Sequence, residues 1–137
     1  MKSGKNLQKA ARKRAEKLPG ARLEHPFGSD YDVYEVGGKV FLLLTRIPRD
    51  STGQGITDEI RGKRVMVVKA DPADALALRG EHAEIIPGYH MNKEHWITVA
   101  NGDRIKKKLV KDLVSDSYRL VVGTLPQAER PADSDEG

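Results

Sequence analysis

Chemistry is densest between Gly88 and Trp96, where Gly88-Tyr89-His90-Met91-Asn92-Lys93-Glu94-His95-Trp96 combines two aromatics, two histidines, an amide and a lysine. Aromatic rings stack on bases, amides and imidazoles bond base edges, and an ammonium neutralises phosphate. His90, Asn92, Lys93 and His95 are therefore candidates for nucleic-acid contact. The same residue types also suit a structural role, with Tyr89 and Trp96 filling a core edge while Asn92 and the histidines tie down a loop. On either reading Tyr89 and Trp96 are expected to be largely buried, and His90, Asn92 and Lys93 to reach solvent.

Catalytic and metal chemistry find little support. His90 and His95 stand five apart without a carboxylate or cysteine at ligand spacing, so no metal is expected. Gly55 to Lys63 is a poor phosphate loop: six residues separate Gly55 from Gly62 where the motif has four, and Arg64 follows Lys63 where it has Ser or Thr. Asp30 and Asp32 can pair as carboxylates, but acids are common in turns. The chain has no cysteine, which removes disulfides and thiol catalysis and fits a reducing compartment. Neither an enzymatic activity nor a cofactor is expected.

Charge points more clearly. The net charge is +4, but residues 127–137 hold one arginine and four acids, leaving +7 on residues 1–126. A basic body with an acidic tail suits a polyanionic partner, although it also suits a lysine-rich solvated surface. The bases expected to touch phosphate are Arg12 and Lys13 in the N-terminal segment, Arg61, Lys63 and Arg64 in the middle, and the Lys106-Lys107-Lys108 cluster. The longest apolar run, Val40 to Leu44, is far too short to span a bilayer. The basic N-terminus lacks the apolar stretch of a secretion signal, so a cytoplasmic location is expected.

The elements that hold these residues are readable from spacing. Asn6 to Leu18 is free of Gly and Pro and stops at Pro19-Gly20, which predicts a helix. Arg22 to Pro26 suits a short edge strand. Asp32–Val36 and Lys39–Thr45 are separated by Gly37-Gly38, the signature of a hairpin with a primed turn. The second of these strands is apolar on both faces and belongs inside the sheet. Arg46 to Gly62 is a long polar stretch, expected to be mobile or functional. Val65–Lys69 is a strand, and Asp71-Pro72 opens a helix that Gly80 is expected to close. Ile85–Gly88 is extended and Glu94–Val99 a strand. Ile105 to Leu125 has a helical apolar face, with Ser115-Asp116-Ser117 as a candidate bend or break. Residues 1–126 form one α+β domain, and 127–137 read as a disordered acidic tail. The predicted order is α-β-β-β-α-β-β-α: a two-layer fold with a mainly antiparallel sheet of about five strands and helices on one face.

Pro87-Gly88-Tyr89-His90-Met91-Asn92-Lys93 followed by His95-Trp96 resembles the signature of the MmcQ/YjbR family. Pro26-Phe27-Gly28, Val36-Gly37-Gly38-Lys39, Lys69-Ala70-Asp71-Pro72 and Asp116-Ser117-Tyr118-Arg119-Leu120-Val121 agree with it in order, so the resemblance spans roughly residues 8–126. It implies an α+β fold like that of frataxin-type and type III secretion-chaperone domains. It also implies DNA binding, through likeness to a double-wing fold in a phage transcription activator, which is an analogy of fold. The 46–62 loop is longer than the family's pattern and the basic N-terminal extension lies outside it. The leading expectation is a non-catalytic DNA-binding protein of the MmcQ/YjbR type. The alternatives are a protein- or peptide-interaction module using the open sheet face or edge, and a small-ligand accessory whose histidine-tryptophan loop closes a pocket.

Overall fold

The computed structural model describes residues 1–132. Helix α1 (Gly4–Glu16) leads into strands β1 (Arg22–Glu24), β2 (Asp32–Val36), β3 (Lys39–Arg46) and β4 (Arg64–Lys69). Helix α2 (Pro72–Glu81), strands β5 (Ile85–Pro87) and β6 (Trp96–Ala100), and helix α3 (Lys107–Val122) follow. The sheet is antiparallel throughout, in the order β1-β2-β3-β4-β6-β5. The fold class is the α+β arrangement expected, with the edge strand at Arg22–Glu24 pairing along β2; the sheet has six strands rather than about five, since four strands and not three precede α2.

Local chemistry explains the boundaries. Ser3 caps α1 by accepting from the Asn6 N–H, and Asp71 caps α2 by accepting from the Ala73 N–H. Gly37 and Gly38 both take positive φ, 59° and 78°, as a primed hairpin turn requires. A register shift in the β2–β3 pairing leaves Phe41 as an extra residue. Phe41 and Leu42 consequently both reach the helix-side core, where the Phe41 ring meets Tyr118 edge-on at 5.4 Å.

Helices α1 and α3 pack on each other and against β3 and β4. Each drives a buried polar side chain into the junction between those strands. The Gln8 amide donates to the carbonyls of Thr45 (2.9 Å) and Val65 (3.0 Å). The Ser117 hydroxyl donates to the Phe41 carbonyl (2.6 Å) and accepts from the Lys69 N–H (2.8 Å). Arg14 of α1 donates to Ser115 of α3 (2.6 Å), and the Tyr118 hydroxyl reaches the Pro19 carbonyl.

Four expectations need correction. Ser115-Asp116-Ser117 neither bends nor splits α3, because both serines lie on its buried face and bond outward to partners rather than competing with the helix backbone. Gly80 lies within α2, which ends at Glu81 with His82 as its C-cap. The far face of the sheet is not open. Ile47, Ile56 and Ile60 of the 46–62 loop pack on Val65, Ile86 and Ala100, and Tyr89, Met91 and Trp96 pack near Val33, Leu43 and Val67. The loop is also stitched by Ile47 N–H to Lys63 and Gly62 N–H to Ile47 carbonyl bonds. Finally, residues 127–132 of the acidic tail are structured. Gln127–Glu129 forms a 3-10 turn, Arg130 donates to the carbonyls of Leu125 and Gly123, and Pro131 packs at Gly20. Residues 133–137 lie outside the described residues.

Ser117→Ala leaves the Lys69 N–H and the Phe41 carbonyl without their partner, and Gln8→Ala does the same to two carbonyls. Each substitution is expected to cost about 1–3 kcal/mol in urea unfolding. Leu76→Ala, on an exposed site of α2, should change stability by under about 0.5 kcal/mol.

Candidate functional site

The basic residues gather around α1. Residues three and four apart share a helix face, and Lys5, Lys9 and Arg12 form an outward ridge opposite buried Leu7, Ala11 and Ala15. A cavity of about 360 Å³ lies on one side of α1, lined by Met1, Lys2, Asn6, Lys9, Ala10, Lys13 and Lys107. On the other side a crevice of about 480 Å³ holds Arg12, Arg46 and Arg64 beside Asp30 and Asp32. Of the eight bases predicted to meet phosphate, Lys13 and Lys107 thus share one cavity, and Arg12 and Arg64 the other. Lys106 and Lys108 are exposed where α3 begins, with Lys108 paired to Asp112 at 2.8 Å. Arg61 and Lys63 are engaged elsewhere: Arg61 with Asp58 and the Ser51 carbonyl, Lys63 with the Asn101 carbonyl. Sequence reasoning missed Lys2 and Arg46 as members of this face. The i, i+4 spacing of Lys9 and Lys13 was a usable signal, whereas Arg46 is recognised only once its pairing with Arg64 is known.

His90, Asn92, Lys93 and His95 are not part of that face. They sit on the loop joining β5 to β6, which packs on the opposite side of the sheet. Gly88 is required there, since a Cβ would lie 2.6 Å from that of Trp96. The Tyr89 N–H bonds Thr98 Oγ1 at 2.7 Å. Asn92 Oδ1 accepts from the N–H groups of Glu94 (2.9 Å) and His95 (3.2 Å), and the Lys93 ammonium donates to the Gly88 carbonyl. His90 takes a positive φ of 64°, uncommon for a side-chain-bearing residue, with its ring 3.9 Å from that of Tyr89. His90, Asn92, Lys93 and His95 are exposed, as expected for the first three, but Tyr89 and Trp96 are only partly buried. Both lie over the rim of a small secondary core rather than within the main one.

Beside this loop Phe27, Tyr31, Val40, Leu43, His90 and Met91 line an apolar cavity of about 340 Å³. Phe27 is 64% exposed at its mouth and meets Tyr31 edge-on at 6.3 Å. Among the described residues no three of His, Asp and Glu gather as a metal site, and no helix is long and apolar enough to cross a membrane.

Asp32 fixes the geometry between β2 and α1. It pairs with Arg12 at 2.5 Å and His25 at 2.9 Å. Burial raises its pKa, but the hydrogen bonds and charges of Arg12 and His25 outweigh burial and hold the carboxyl below its usual range. A depressed folded pKa adds stability above the unfolded value near pH 4, and that contribution disappears as pH falls through the folded value. Asp32→Asn should therefore destabilise the protein at neutral pH and narrow the gap to wild type in the acid range. Urea unfolding at successive pH values checks this, and a gap that widens on acidification contradicts it.

The chain is 37% identical over 125 residues to YbdF of Escherichia coli O157:H7, covering 91% of this chain and 92% of that protein. It is 29% identical over 86 residues to YjbR of Escherichia coli K12, covering 63% and 73%. The crystal structure of the Deinococcus radiodurans protein DR2400 superposes with a TM-score of 0.69 at 29% identity, covering 86% of this chain and 80% of that one. A Pseudomonas syringae protein does so at 0.63 and 32%, covering 88% and 98%. With residues 16–120 matching the YjbR family, the chain belongs to that family.

Proposed function

We propose that the protein is a non-catalytic DNA-binding protein that engages duplex phosphates through the basic face around α1. The observation that carries this reading is the cavity between α1 and the start of α3, where Lys2, Lys9, Lys13 and Lys107 converge with no acid among the lining residues. Unpaired ammonium groups on adjoining helices form the pattern that neutralises successive phosphates, a sequence-independent mode of binding. The Gly88–Trp96 loop is then a closing element of the fold rather than a reader of bases.

A second reading draws support from the apolar cavity at Phe27. An exposed aromatic at the mouth of a pocket suits an apolar side chain of a peptide partner. It makes Phe27→Ala the diagnostic substitution for a protein-interaction role.

Fluorescence anisotropy with random duplex DNA tests the DNA reading. Log affinity should fall against log salt at about −0.9 per phosphate contact, so about four contacts lose on the order of a hundredfold between about 50 and 200 mM salt. Lys9→Ala, Lys13→Ala and Lys107→Ala combined should flatten that slope by about 3, while Phe27→Ala and His90→Ala leave it unchanged. No duplex binding by the intact protein at low salt and micromolar concentration removes the DNA reading in favour of the second.

A further inference from the structure

The crevice on the other side of α1 contains an arrangement that backbone pairing alone does not favour. Arg46, the last residue of β3, lies directly opposite Arg64, the first residue of β4. Alternation along each strand puts both on the helix side: Leu44 and Leu42, two and four residues before Arg46, face the helices, as do Met66 and Val68 after Arg64. Like charges directly opposite in an antiparallel pair are destabilising. Among the described residues neither guanidinium has a hydrogen-bond or ion-pair partner, although two carboxylates line the same crevice. Asp32 is held by Arg12 and His25, and Asp30 pairs with neither arginine. Both guanidiniums therefore line one crevice without an anionic partner of their own, its two carboxylates being bonded elsewhere or to neither of them.

We propose that Arg46 and Arg64 form a binding site for a phosphate group. A guanidinium presents its donors in a planar fork that matches a phosphate oxygen pair, and two such forks lining one crevice give one anion two sets of donors. A bound phosphate converts the unfavourable cross-strand pair into a bridged one. The crevice volume, about 480 Å³, falls in the range of small-ligand pockets. Its floor is rigid because Gln8, which lines it, is fastened to the carbonyls of Thr45 and Val65. This site is separate from the lysine cavity and does not require that the lysines bind DNA. The phosphate group can belong to a small molecule or to a nucleic-acid backbone, and the test separates the two.

Thermal unfolding is followed with inorganic phosphate as the probe, against chloride at matched ionic strength, for wild type and for the pair Arg46→Gln and Arg64→Gln. Wild type should show a melting temperature that rises and saturates with phosphate. The double variant should lose that rise while remaining at least as stable as wild type without phosphate, because it relieves the like-charge pair. Lys9→Ala with Lys13→Ala should retain it. If duplex affinity is unchanged in the double variant, the site takes a phosphorylated small molecule. A loss of duplex affinity of about tenfold or more with the phosphate response still dependent on the arginines assigns it to a backbone phosphate. A wild-type protein indifferent to phosphate, or a double variant that responds as wild type does, overturns the proposal.

Discussion

The β3–β4 junction is held at each end by a side chain from a different helix. Gln8 of α1 bridges Thr45 and Val65, and Ser117 of α3 bridges Phe41 and Lys69. These strands are the centre of the sheet, and both helices lie across them. A buried polar group without a partner is costly, so each bond admits only one seat for its helix along the strands. The apolar residues around them, such as Leu7, Leu44, Val114 and Tyr118, stabilise burial but would tolerate more than one alignment. The bulge at Phe41 belongs to the same arrangement, since it brings the ring under α3 where Ser117 meets its carbonyl.

Fixing α1 by its inner face leaves its outer face to charge. Leu7, Gln8, Ala11 and Ala15 are committed to the core, while Lys5, Lys9, Arg12 and Lys13 carry no packing role that demands apolar character. The other side of the sheet is closed differently, by two loops whose isoleucines and aromatics make small secondary cores. The molecule thus has one charged, helix-covered side and one loop-covered side with an apolar opening at Phe27. That division separates the family's signature segment from the bases.

Much of this was legible in the sequence. The hairpin at Gly37-Gly38, the Asp71-Pro72 cap and the apolar periodicity of α3 each rest on local chemistry, and the structure has them where spacing puts them. Two of the misreadings concern residues whose partners are distant in the chain. Ser115 and Ser117 look like helix breakers until Arg14, Phe41 and Lys69 are brought to them. The polar 46–62 stretch looks mobile until its three isoleucines, spaced irregularly, find Val65 and Ile86. Asn92 and Lys93, read as candidates for nucleic-acid contact, reach solvent and also bond their own loop's backbone. In the candidate site, the basic helix was visible as a run of charge, but the convergence of Lys13 with Lys107 and the opposition of Arg46 to Arg64 depend on tertiary placement and strand register.

In the proposed mode of binding, the charged face around α1 meets the partner and the Gly88–Trp96 loop does not. Amide chemical-shift mapping of isotope-labelled protein against a short random DNA duplex tests it most directly. Perturbations are expected to centre on α1 and the start of α3, with Tyr89 to His95 unmoved. Perturbations centred on His90, Asn92 and the Phe27 cavity, with α1 silent, would contradict it.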